Sequence, residues 1–448
     1  MYLNRTSALT PLNVLMVVMF CASTFLLVVK SWITITLILL AVYAVITIIQ
    51  DKKSYFSTEN IKLLVPILAL LSPFFAELCS QLARGSLVPS SLDGPSRGIL
   101  AACVFVLFTR FEVTKLAHAL SYGCFMGILF VFFSLIIFPE QYWGSRAATY
   151  FVDPITLPCF TVMLFGMLLF LERDTKFTLT HILLKTLAGL ATIFIAIESG
   201  SRSSWVALVS LLIVFVIYIS RGSLKRLAVG SVILTIFIIV VYGLSPTVKE
   251  RTDKSINVIS QITTYLVSGD YQDESLNEAM TRTSTGHRMI LFLVDWELIK
   301  LAPLWGTPDG ILPDFETLHS DIPFLTEDIY EIKLLAGSHS EMSAILVRRG
   351  VLLGVLSLWG LFLYPIYLVM RSIIDEGGNR RSISWIAMGG ILPVLASALT
   401  IQVFNLKMTT SFYWLCCAIF MAYYFAKPTI QKTDSNSKIW NSKFVPKG

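Results

Sequence analysis

The chain has 448 residues, 55% of them hydrophobic and 14% charged, with a mean hydropathy of +0.73. A soluble domain carries about 25% charged residues, so the composition excludes an ordinary water-soluble fold and points to an all-α polytopic integral membrane protein. The net charge of +6 is scattered over short loops, which excludes a nucleic-acid-binding face.

The N-terminal stretch MYLNRTSALT lacks a basic n-region and an A-x-A-like cleavage site, and a second apolar run follows the first at once. It reads as a retained helix rather than a signal peptide. A bilayer core of about 30 Å takes roughly 20 apolar residues of helix. Runs at about 11–29, 32–49, 63–83, 97–112, 117–138, 154–171, 181–198, 204–220, 227–244, 350–370, 384–404 and 410–426 predict about 12 transmembrane helices, nine within 1–244 and three within 350–426. The fourth has the shortest strictly apolar core, GILAACVFVLFT. All seven cysteines (Cys21, Cys79, Cys103, Cys124, Cys159, Cys416, Cys417) lie in these runs, which predicts small core residues and no disulfide framework.

Charge sets the orientation. With the N-terminus cytoplasmic, the inner segments hold 19 basic residues and the short outer loops six: Lys30, Arg84, Arg97, Arg146, Arg202 and Lys407. This is the positive-inside pattern, and it fails if the fourth span is dropped. One outer segment, 245–349, is long enough for a large periplasmic loop. It carries sixteen acidic and nine basic residues, and 301–332 holds seven acids with no Lys or Arg. The tail 427–448 reads as a basic, unstructured cytoplasmic end facing anionic lipid.

Against this background, arginines on the outer side need a reason. Arg146 lies in YWGSRAATYFVDP, Arg202 in the SGSRSS stretch whose first five residues, 199–203, turn between two spans, and Arg288 at the head of HRMILFLVDWELIKLAPLWG. Ser203 or Ser204 is placed to cap the helix after Arg202. A helix N-terminus beside a guanidinium attracts anions, and arginine's fork fits phosphate. The alternative for each arginine is an interfacial side chain reaching lipid headgroups. Met289, Leu291, Phe292, Trp296 and Leu298 predict an amphipathic helix at the outer interface, interrupted by Asp295, Glu297 and Lys300. It reads as a phosphate-facing helix or a plain anchor.

Further on, Ser338 and Glu341 fit an S-x-x-E capping box, which sets His339 in the first helical turn. There the dipole would keep His339 neutral and able to accept a proton, or it is only a surface residue of a capped helix. Arg348 and Arg349 follow at or below the interface, where at least one needs an anionic partner. Asp153, Glu198 and Glu341 are candidate acid/base groups, but no ligand spacing marks a metal site. HExxH, C-x-x-C and Walker patterns are missing. His118 and His181 are isolated, and Glu77 and Lys185 are single ionisable residues in or near spans.

Three of these stretches carry a resemblance. SGSRSSW, GHRMILFLVDWELIKLAPLWGTPDG and His339-Ser340 separated by nine residues from Gly350 resemble the motifs of the bacterial O-antigen ligase and O-antigen polymerase superfamily. Ligases typically continue with two residues and then Gly, Thr or Tyr. Here Leu353 stands at that place and Gly354 follows, so the ligase-specific extension is not matched. The resemblance implies a GT-C-like fold in the bacterial inner (cytoplasmic) membrane, with both termini cytoplasmic and a periplasmic active site. It implies glycosyl transfer without a metal or nucleotide cofactor, from an undecaprenyl-diphosphate-linked glycan to lipid A–core in a ligase or to a second lipid-linked glycan in a polymerase. It implies catalytic roles for His339, Arg288 and Arg202, to which the residue reading adds Arg146, Arg348, Arg349 and Glu341 as contacts to diphosphate or glycan. A transporter of lipid-linked sugars is the reading from another class. Transporters gather polar groups at the midplane, often in two related halves, whereas these charges gather at outer helix ends and no repeat is visible.

Overall fold

A computed structural model describes residues 10–51, 58–138, 146–172, 179–220, 223–244, 246–268, 274–308, 311–377 and 383–426. The basic tail lies outside these residues, as do Arg5, Lys52, Lys53, Arg173, Lys176, Arg221, Arg380 and Arg381 of the inner charge count, and Asp309 of the acidic stretch.

The described residues form an all-helical protein without a strand. Eight helices are long and apolar enough to cross a membrane: Trp32–Gln50, Ile61–Ala83, Pro89–Phe108, Val113–Ile137, Leu179–Ser199, Arg202–Ser220, Glu341–Asp375 and Lys407–Ala426. A further helix, Leu224–Leu244, covers the ninth expected span. Three apolar helices are shorter: Pro11–Thr24, Thr156–Leu169 and Ile383–Ala398. At 1.5 Å per residue, 14 residues rise only about 21 Å, less than a bilayer core. Thr156–Leu169 and Ile383–Ala398 are buried almost all round and pack on each other at the centre. Gly166 and Gly389 make that contact possible, since a Cβ on either would strike the other helix's backbone.

The bundle turns its apolar side chains outward as well as inward. Leu39, Leu183, Leu190, Ile213 and Ile236 are exposed, while buried Ser and Thr hydroxyls such as Ser23, Thr161 and Thr192 bond to backbone carbonyls. That distribution suits a lipid solvent, where polar groups are satisfied internally.

The fourth expected span needs correcting. Its helix begins at Pro89, not 97, and runs 20 residues to Phe108. Proline is tolerated in the first turn, and PSSLDGPSRG continues as helix because Asp93 and Arg97 pair one turn apart at 3.2 Å. Arg97, counted above as a loop residue, is therefore buried inside a helix at 3% exposure.

Between 246 and 340 the helices Pro246–Ser268, Glu274–Arg282, Ser284–Leu301, Phe315–Asp321 and Glu327–Ala336 build a small core of their own. It contains Ile290, Leu291, Val294, Leu298, Leu318, Phe324 and Ile329, and Val347 ties it to the next helix. The expected apolar face of the Ser284–Leu301 helix is thus split. Leu291 and Leu298 are buried, whereas Phe292 and Trp296 are each 52% exposed.

Candidate active site

The segment from Glu341 to Leu358 is two helices broken at Gly350, which has φ of 72°. The turn Pro303–Gly306 packs into that break. Val351 N–H donates to the Pro303 carbonyl and Thr307 N–H to the Val347 carbonyl, both at 2.7 Å. Gly306 also has positive φ, 70°. A Cβ on Gly306 would collide with the Arg348 backbone, and one on Gly350 with the Leu304 backbone. Ser80 and Arg84 close the joint by donating to the carbonyls of Trp305 and Arg348. Only residues without a side chain permit this approach, which is the physical reason for glycine at both 306 and 350.

Upstream of the break, the expected capping box is not formed. The helix is capped by Ser340, whose hydroxyl accepts from Ser343 N–H at 3.5 Å. Ser338 instead donates to Asp295 at 2.7 Å, and Glu341 accepts from Phe404 N–H at 3.1 Å. His339 therefore precedes the helix rather than occupying its first turn. The segment that carries it is held from beneath by a buried network. Lys333 bonds to Asp295 and, at 2.9 Å, to Ser338, while Ser343 donates to the other Asp295 oxygen at 2.6 Å. Asp295 is 1% exposed and Lys333 4%. Both carboxylate oxygens are satisfied, as a buried charge requires. Asp295 looked like a polar interruption of an amphipathic face. Its role shows only once Lys333 is folded back onto it.

Three arginines meet beside this segment. Arg146 donates to the Ser199 carbonyl at 2.7 Å, a cation at the C-terminal end of Leu179–Ser199. Arg202 opens the next helix, preceded by Ser201. Ser203 bonds to Ser201 and Ser204 to the Ser201 carbonyl, so neither is the cap expected of it. The Arg202 guanidinium donates to Thr285 at 2.7 Å, which brings it to the Arg288 helix. Arg288 is half-buried, and no hydrogen bond or ion pair joins its guanidinium to any described residue. Burial, then the positive fields of Arg202 and Arg146, lower its proton affinity.

His339 shares this environment. Burial pushes its imidazole below the ordinary 6.5, the Arg288 cation and then Lys333 push the same way, and Asp295 opposes them. Burial and Arg288, rather than a helix dipole, are what favour its neutral form.

The other three candidates sit elsewhere. Glu341, Arg348 and Arg349 line a cavity of about 410 Å³ that none of Arg146, Arg202, Arg288 and His339 lines. Arg349 is 5% exposed and already neutralised, donating to Glu77 at 2.7 Å and to Ser357 at 2.6 Å. Gln81 bonds to the other Glu77 oxygen at 2.9 Å. The expected anionic partner is therefore Glu77, which is part of the protein. Asp153 caps the Thr156 helix through the N–H groups of Ile155 and Thr156, at 2.8 and 2.9 Å.

A family model described as O-antigen ligase matches residues 187–358. The matched segment runs from the Leu179–Ser199 helix to Leu358 and contains Arg202, Arg288, His339 and the glycine joint, while Arg146 and Glu77 lie before it. No curated protein matches the chain significantly. The joint, the converging arginines and the matched segment coincide, and over residues 187–358 this multi-pass membrane protein is similar to the O-antigen ligase family, glycosyltransferase-like enzymes that act on lipid-linked glycans.

Proposed function

We propose that the protein is an O-antigen ligase of the bacterial inner membrane, moving a glycan from undecaprenyl diphosphate to lipid A–core at the periplasmic face. The observation that carries this reading is the convergence of Arg146, Arg202 and Arg288 beside His339, with no acid among the described residues paired to Arg288. Like charges gathered in a half-buried site are unfavourable alone and become favourable around an anion. A diphosphate leaving group is such an anion. Its charge grows as the sugar C1–O bond breaks, so preorganised cations stabilise the transition state more than the ground state.

In this reading the acceptor hydroxyl attacks C1 and passes its proton to neutral His339. The C1–O bond to the diphosphate breaks, its electron pair stays with undecaprenyl diphosphate, and Arg202 and Arg288 hold that product. Asp295, Lys333 and Ser338 act as positioning residues for the segment that carries His339. The periplasmic placement, the cytoplasmic termini and the count of 12 spans belong to the same proposal and rest on the charge pattern.

The test is transfer by the purified protein from undecaprenyl-diphosphate glycan to lipid A–core and, separately, to a lipid-linked repeat unit. Transfer to lipid A–core alone supports the ligase. Transfer to the repeat unit alone assigns a polymerase, a reading favoured by Leu353 where ligases carry Gly, Thr or Tyr. Transfer to neither rejects the transferase.

A further inference from the structure

The scheme gives His339 a proton to accept, yet no side chain aims its ring. No hydrogen bond or ion pair joins the imidazole to any described residue. A histidine base is ordinarily oriented by a third group bonded to its other ring nitrogen. Here the orientation has to come through the main chain, and the main chain is pinned on both sides of His339.

The pins come from two directions. Asp295 and Lys333 hold the Ser338 hydroxyl from beneath. The second set comes from residues 398–404, which leave the end of helix Ile383–Ala398 and run toward helix Lys407–Ala426, outside the matched segment 187–358. The Gln402 amide donates to the Ser338 carbonyl. The Ser340 hydroxyl donates to the Ala398 carbonyl and the Glu341 N–H to the Ile401 carbonyl, both at 3.1 Å, and the Glu341 carboxylate accepts from Phe404 N–H. The Ser338 carbonyl and the His339 nitrogen share one peptide plane, so the Gln402 bond fixes the plane from which the His339 side chain departs. Gly337, with φ of 71°, turns the chain toward this contact, and a Cβ there would stand 3.3 Å from the Gln402 amide nitrogen.

Residues 398–404 are themselves firmly held. Ile401 and Val403 are buried. The Phe404 ring stacks on Phe362 with centroids 5.8 Å apart. The hydroxyls of Thr409 and Thr410 donate to the Val403 and Phe404 carbonyls, each at 3.1 Å. A mount of this kind holds a reacting group only as precisely as the packing behind it allows.

We infer that Gln402 is a positioning residue for His339: its amide sets the 338–339 peptide plane and so directs the imidazole at the acceptor hydroxyl. Within the transferase reading above, on which this role rests, the two helices after Gly377 gain a part in the site. Losing the bond leaves both substrates bound and misaims the base, so the loss falls on kcat rather than on KM.

The test uses the full chain in nanodiscs, with undecaprenyl-diphosphate glycan as donor and each of the two acceptors in turn. Gln402→Met keeps the length of the side chain and removes the donor. Gln402→Glu keeps shape and polarity and puts an acceptor in the donor's place. Both should lower kcat about tenfold, the equivalent of about 1.4 kcal/mol of barrier, with donor KM, acceptor KM and Tm unchanged. In hydrogen–deuterium exchange, peptides covering residues 338–341 should exchange faster in both variants, while those from helix Trp32–Gln50 exchange as in the wild type. An unchanged kcat, a raised KM at constant kcat or unchanged exchange over 338–341 would overturn the assignment. So would a fall in Tm alongside kcat, which would make Gln402 a stability residue. If the wild type transfers nothing, the transferase reading falls, and the exchange arm alone judges whether Gln402 fixes the segment: faster exchange sustains it and unchanged exchange rejects it.

Discussion

The protein buries arginine in two ways that invite comparison. Arg349 sits against Glu77 with Gln81 and Ser357 completing the set, so every charge and most hydrogen-bonding groups are answered inside the protein. Arg288 sits half-buried with Arg202 and Arg146 close enough to repel it and no acid among the described residues paired to it. The first arrangement is complete as folded. The second is stable only because the surrounding helices hold it, and an anion would complete it. The lesson is that a cation's neighbours, rather than its depth, separate structural from functional arginines.

The comparison can be broken by substitution. The largest effect should come from Arg349→Ala, which leaves Glu77 buried and unpaired. Breaking a buried pair this way costs about 3–5 kcal/mol, and thermal unfolding in detergent should show a correspondingly large fall in Tm. Replacing both partners, Glu77→Leu with Arg349→Leu, should recover most of that loss, because a well-packed apolar pair is often neutral or better. If the double variant is no more stable than the single one, the Glu77 pair is not the self-contained unit described here.

Arg288→Ala should do the reverse. Transfer should fall by tens to thousands of fold, about 2–5 kcal/mol of lost interaction with a buried charge. Its Tm should stay level or rise, since two repulsive contacts disappear. A variant that loses Tm and activity together would place Arg288 with Arg349 as a structural residue. Asp295→Asn should fall between the two. It removes the charge that answers Lys333 and loosens the His339 segment, so some stability and part of kcat should go together.

The smallest effect is in pH. His339 is pushed down by burial and by Arg288, so kcat/KM should rise with pH through a limb below 6.5 and then level off. A base must be unprotonated to act, and the lowered pKa keeps it so at neutral pH. In Arg288→Ala that limb should move toward higher pH. A limb that does not shift would show that His339 and Arg288 do not share one electrostatic environment.

Much of this was legible in the sequence, for identifiable reasons. Hydropathy found the apolar helices because lipid demands long unbroken runs, and it overestimated the lengths of the 11–29, 154–171 and 384–404 spans because a helix buried among others need not cross the bilayer alone. The arginines stood out because cations on the outer side oppose the charge rule. The histidine was picked out by its place next to a capping pattern, and the family resemblance implied a catalytic role for it. What stayed hidden were pairings across the chain. Glu77 with Arg349, Asp295 with Lys333 and Gln402 with Ser338 join residues 272, 38 and 64 positions apart, and no local pattern encodes them. The capping box failed for a related reason. Ser338 had the right spacing, but a buried carboxylate offered its hydroxyl a better partner than a backbone N–H.

The glycine joint at residues 306 and 350 has a mechanical consequence. Two main-chain bonds and a pair of missing side chains rivet the Pro303–Gly306 turn to the helix break behind Arg348. A bulkier residue at either position should therefore disturb the His339 side and the Glu77 side at once, so that one substitution disables both compartments while each compartment's own residues remain intact.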